Sequence, residues 1–183
     1  MALLWTFKKL PEPLIVTGAV LIGLLPAPLP AAASIEGKPG LELVSTIPLP
    51  GVQGRIDHLS VDVKGRRIFV AALGNGTVEV VDTQRGERRS IPGFGEPQGV
   101  LYVPASNRLF VANGAAGRVD IVDAAGLSVL RRIEGLADAD NVRFAAAARN
   151  VIVGYGRGAL RFLDPGTGES AGDIALPGHP ESF

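Results

Sequence analysis

Thr77-Val-Glu-Val-Val-Asp82 has two counterparts further along the chain, Arg118-Val-Asp-Ile-Val-Asp123 and Ala159-Leu-Arg-Phe-Leu-Asp164, each 41 residues after the one before. Upstream of each stands another shared run: Arg67-Ile-Phe-Val-Ala71, Arg108-Leu-Phe-Val-Ala112 and Asn150-Val-Ile-Val-Gly154, at intervals of 41 and 42. A fixed period of this length marks an array of repeated supersecondary units, so three copies of one unit are present.

Within each copy the apolar residues form short runs rich in Val, Ile, Leu and Phe, separated by Gly, Asn, Asp or Pro, which is the pattern of strands. In the first copy they predict strands near 59–63, 67–72, 77–82 and 88–92. Gly74-Asn75-Gly76, Asn113-Gly114 and Gly154-Tyr155-Gly156 separate second from third strands and allow the positive φ of tight turns. Inner strands such as Ile68-Phe69-Val70-Ala71-Ala72 are apolar on both faces, so both must be covered. Radial stacking of four-stranded antiparallel sheets does this, and the predicted fold is an all-β propeller with blades near 58–98, 99–140 and 141–181. Phe69, Phe110, Phe144 and Phe162 are expected in the core between blades.

With the strands placed, Phe110-Val-Ala-Asn113 and, less well, Phe69-Val-Ala-Ala72 resemble the Tyr-Val-Thr-Asn signature of YVTN-family, YncE-like β-propeller repeat proteins. The Val-x-Val-[Ile/Val]-Asp third strand fits as well, and the resemblance spans about residues 41–183, an N-terminal part of such a protein. It implies the fold and leaves function open, since the family's repeat residues are structural.

The ends of the chain carry two further expectations. Lys8 and Lys9 precede an apolar run from Leu14 to Leu25, then Pro26, Pro28 and Pro30, then Ala31-Ala32-Ala33. This reads as a signal peptide over 1–33 with cleavage near Ala33, and so as a periplasmic or secreted protein that meets the membrane only during export. Residues 34–183 are then the propeller region. A closed propeller takes four to eight blades. Three are expected here, with His179-Pro-Glu-Ser-Phe183 opening a fourth, so the reading is an incomplete, open propeller able to self-associate through its uncovered blade faces.

Composition narrows the chemistry. Removing Lys8, Lys9 and Glu12 with the leader leaves 16 basic and 17 acidic residues of the 18 and 18 in the whole chain, so no nucleic-acid partner is expected. There is no cysteine, which excludes disulfides, thiol catalysis, Cys-ligated zinc, iron–sulfur clusters and Cys-linked haem. Asp82, Asp123 and Asp164 close their strands ahead of Gly86, Gly126 and Gly168, the pattern of carboxylates that accept from turn N–H groups.

The segments leading into each first strand are the candidate site. By the repeat offsets Arg55, Glu96, Asp138 and His179 form one equivalent set, and Asp57, Gln98, Asp140 and Glu181 another. His58 and Asn141 accompany them, and both histidines of the chain lie here. Carboxylate, amide and imidazole groups on a shared rim can hold a polar ligand, Ca²⁺ or a first-row metal. No nucleophile–base pair is identifiable. The favoured function is a non-catalytic scaffold that binds a protein or small molecule. The alternatives are a metal-dependent lactonase-like hydrolase, or a propeller component of a quinone- or haem-dependent oxidoreductase. Residue types alone identify neither ligand nor cofactor.

Overall fold

The computed structural model describes residues 42–181 and 183. The predicted leader and its expected cleavage point lie outside these residues. No helix among the described residues is long and apolar enough to cross a membrane.

Among the described residues twelve strands form three four-stranded antiparallel sheets, each a meander in sequence order. The first holds β1 (Leu59–Asp62), β2 (Arg67–Ala72), β3 (Thr77–Asp82) and β4 (Glu87–Pro92). The second holds β5 (Pro97–Val103), β6 (Arg108–Asn113), β7 (Arg118–Asp123) and β8 (Ser128–Glu134). The third holds β9 (Val142–Ala145), β10 (Asn150–Tyr155), β11 (Ala159–Leu163) and β12 (Ser170–Ala175). First strands of neighbouring sheets approach one another, β1 to β5 and β5 to β9, while the fourth strands make no comparable approach. The sheets therefore fan from an inner edge as propeller blades, and no closed ring forms among the described residues.

The packing follows from the pleat, which sends successive side chains to opposite faces. On β6, Leu109 and Val111 enter a core shared with the first blade, where they meet Phe69, Ala71, Val78 and Val80. Phe110 and Ala112 enter a second core shared with the third blade, beside Val142, Val151, Val153 and Leu163. The middle blade is thus buried on both faces, which explains its unbroken apolar runs. Full burial of one such Phe or Leu contributes about 1.5–3 kcal/mol.

Polar ties join the same surfaces. The Arg67 guanidinium forks onto Asp62 (2.8 and 3.2 Å) and donates to the Ala124 carbonyl in the next blade. The Tyr102 N–H donates to Ser60 Oγ at 2.9 Å, and Arg131 Nη1 donates to the Thr167 carbonyl at 2.8 Å.

Two expectations need correction. Phe69 and Phe110 are fully buried, but Phe144 is 42% exposed and Phe162 only partly covered. Phe162 repeats Val80 and Ile121, which pack on a following sheet, and among the described residues no sheet follows the third. Phe144 takes the place of Val61 and Tyr102 on the innermost strand, a row incompletely covered in every blade. The turn geometry also differs in the second copy: the left-handed residue before the third strand is Gly117 (φ 63°), not Gly114, and it repeats Gly76 (φ 64°). The three recurrent aspartates do accept turn N–H groups. Asp82 binds those of Gln84 and Arg85, Asp123 that of Gly126, and Asp164 those of Gly166 and Thr167, all at 2.7–2.9 Å.

Candidate functional site

The lead-in segments are pinned to the blades by one recurring pair of backbone bonds. The Asp57 N–H donates to the Ala71 carbonyl and the Ala71 N–H to that of His58. In the third blade Asp140 and Gly154, then Gly154 and Asn141, repeat the pair. The first and third lead-ins are thereby fixed at the same end of their inner strands, and lead-ins of neighbouring blades touch. The His58 N–H donates to the Gln98 carbonyl, and Asn141 Nδ2 donates to the Glu181 carbonyl.

Asp57, His58 and Asp140 converge, with one ligand atom of each within 4.8 Å of the other two. Asp57 is held between partners: Oδ2 accepts from Arg55 Nη2 at 2.6 Å, while Oδ1 lies 3.0 Å from His58 Nδ1. The angle of that second approach is not that of a hydrogen bond, so His58 Nδ1, shielded from solvent, has no hydrogen-bond partner among the described residues. A shielded polar atom in that condition calls for a ligand, water or ion. Asn141 Oδ1, in a side chain almost wholly buried, is also without a partner among the described residues.

His179 joins from the other side. Its Nδ1–H donates to the Gly156 carbonyl at 2.5 Å, which directs Nε2 toward Asp140 Oδ2 at 3.8 Å; Asp138 Oδ2 lies 3.7 Å from Nδ1. That carbonyl, then Asp138, Glu181 and Asp140, hold the imidazole protonated above the usual histidine range, against the opposing effect of desolvation. Burial first, and then the Asp57 and Glu181 carboxylates, push Asp140 above the ordinary carboxylate range despite both histidines.

Of the ten residues singled out from sequence, Arg55, Asp57, His58, Asp138, Asp140 and His179 are linked through their side chains. Asn141 and Glu181 join them through the carbonyl bond and the charge on Asp140. Gln98 reaches the group through its backbone, its side chain lying over Gly114 instead. Glu96 is exposed in a left-handed turn (φ 53°) and stands apart. The Gly156 carbonyl, which orients His179, was missed, since backbone acceptors leave no mark in residue type.

No protein-family model matches the chain. It is 31% identical over 77 residues to the uncharacterized protein YncE of Salmonella typhi, covering 42% of this chain and 22% of that protein. Among solved structures, hydrazine synthase of Kuenenia stuttgartiensis superposes with a TM-score of 0.61 at 17% identity, over 67% of this chain and 36% of that one. The chain thus spans about a fifth and about a third of these two relatives. Together they show a YncE-like β-propeller matched in part, and the structural likeness speaks for fold alone.

Proposed function

We propose that this chain is an exported, non-catalytic binding scaffold whose binding end is the rim built by the lead-in segments. One observation carries the reading: residues 83 positions apart, Asp57 and Asp140, meet beside His58 at a single end of the inner strands. The orphaned His58 Nδ1 and Asn141 Oδ1 add unmet hydrogen-bonding capacity there. The export part rests on Lys8, Lys9, the apolar Leu14–Leu25 run and Ala31–Ala33.

Thermal-shift screening of the purified protein against small amines, sugars, dicarboxylates and divalent cations tests the binding role. At least one compound should bind saturably and lose its shift in Asp140→Asn. Metal-dependent hydrolysis of a lactone or ester, abolished by the same substitution, would replace the scaffold reading with an enzymatic one. N-terminal sequencing of exported protein should find Ser34 first, and a product retaining Lys8 and Lys9 would remove the export reading.

A further inference from the structure

Taking the rim as a ligand-binding end, we infer that Asp57, His58 and Asp140 form a binding site for a first-row divalent cation of the Zn²⁺ or Co²⁺ class.

The spacing is the first argument. Bonds of about 2.1 Å place neighbouring ligands of an octahedral shell about 3.0 Å apart and opposite ligands about 4.2 Å apart. Asp57 Oδ1 and His58 Nδ1 stand 3.0 Å apart. The Asp140 ligand atom lies within 4.8 Å of both partners, and since it can stand opposite only one of them, its approach to the other has to close by at most about 1.8 Å for the triad to share one ion.

The second argument is the state of His58. Nitrogen and carboxylate oxygen at hydrogen-bond distance normally share a proton, yet here the angle forbids it and Nδ1 is left without a partner. A cation between the two atoms satisfies both, where a proton satisfies neither. Arg55, bound to the other oxygen of Asp57, fixes that carboxylate and leaves Oδ1 turned to the histidine. Such outer partners orient ligands in metal sites generally.

Charge supplies the third. Asp57, Asp138, Asp140 and Glu181 outnumber Arg55 and His179, so the rim is a net attractor for cations. The imidazole selects the class of ion, because Ca²⁺ and Mg²⁺ prefer all-oxygen shells while nitrogen donors suit Zn²⁺ and its neighbours.

Co²⁺ is the probe, because its visible d–d absorption reports coordination directly. The full chain, stripped with a chelator, should take up one Co²⁺ per molecule saturably and release it to Zn²⁺. Asp140→Asn and the size-conserving His58→Gln should each weaken uptake by at least about tenfold, the lower end of what loss of an outer-shell partner costs. Glu169→Gln, at an exposed position just after the β11–β12 turn, should leave it unchanged. Circular dichroism of each variant must match the parent, so that loss of uptake reports ligation and not unfolding. Absence of saturable uptake, uptake indifferent to His58 and Asp140, or displacement of Co²⁺ by equimolar Ca²⁺ would each overturn the inference. Should Co²⁺ fail to bind while an organic ligand still depends on Asp140, the metal site falls and the binding rim stands. Should both be lost, the rim reading falls with it.

Discussion

Arg149 adopts φ 55°, a left-handed conformation that costs an ordinary side chain about 1–2 kcal/mol. Its repeat equivalents are Arg66 (φ 52°) and Asn107 (φ 51°), and only asparagine enters that region readily. The repeat has therefore solved the turn once and left it strained twice. Arg149→Asn should stabilise the protein by about 0.5–1 kcal/mol, read as a raised urea midpoint at unchanged slope. Leu127 (φ 58°) stands where the other copies have Gly86 and Gly168, but it packs on the first core, so Leu127→Gly brings no such gain. Charge at single residues sets the acid limit. Backbone N–H groups, first that of Arg85 for Asp82 and that of Thr167 for Asp164, hold those carboxyls below the usual range. At Asp62 burial alone pushes upward, yet the Gly65 N–H and Arg67 bring the net shift down. Each folded-state value lies below the unfolded one of about 3.9, so the stabilisation is complete well above that pH and is lost as pH falls through the lowered values. Melting temperature should accordingly drop below about pH 4, and Asp62→Asn should flatten that drop.

At the scale of the element, closeness of the inner strands rests on a missing side chain. A Cβ on Gly99 would lie 2.1 Å from the Asp140 carbonyl oxygen and 2.9 Å from Val142 Cγ2. Gly99→Ala should force β5 from β9 and cost about 1–3 kcal/mol, as overpacking does. It should also disturb the placement of Asp140, visible as weakened Co²⁺ uptake. The outer strand pairs differ between blades. Asp120, 1% exposed, faces Arg132 across β7 and β8 and binds Arg118 at 3.0 Å, whereas β11 and β12 reverse the charges as Arg161 and Asp173. Asp120→Ala leaves two guanidinium groups without their buried partner and should cost about 3 kcal/mol. Asp173→Ala, at a half-open position, should cost under about 1 kcal/mol. Denaturant titration of both variants measures the contrast. Strand positions were legible because Val, Ile and Phe recur at the period of the repeat. The buried acids were not, since Glu79 and Asp120 alternate with apolar residues as solvent-facing ones do; Asp120 shares the face of Val122 that packs on the first blade, while Glu79 is held by Thr77, Ser90 and Arg88 of its own sheet.

Over the whole molecule, offsets of 41 and 42 name every lead-in position, but they do not say which side chains meet. Glu96 and Asp138 share a repeat position and a left-handed backbone, yet Asp138 faces His179 and Glu96 faces solvent. The difference lies in what stands opposite, a histidine in one case and none in the other, and that is a property of the stack. The stack also grades stability. The middle blade has neighbours on both faces, so amide exchange should be slowest in β6 and β7 and faster in β1 and β12. A mass-spectrometric exchange profile that was flat across the blades would contradict this. One further consequence comes from β6, whose alternate residues serve two cores. Leu109 and Phe110 are adjacent on one backbone and answer to different blades, so a shift of the strand made to repair one core disturbs the other. Truncating both to alanine should depart from the sum of the single effects, and that thermodynamic coupling is what lets two separate interfaces melt as one cooperative event.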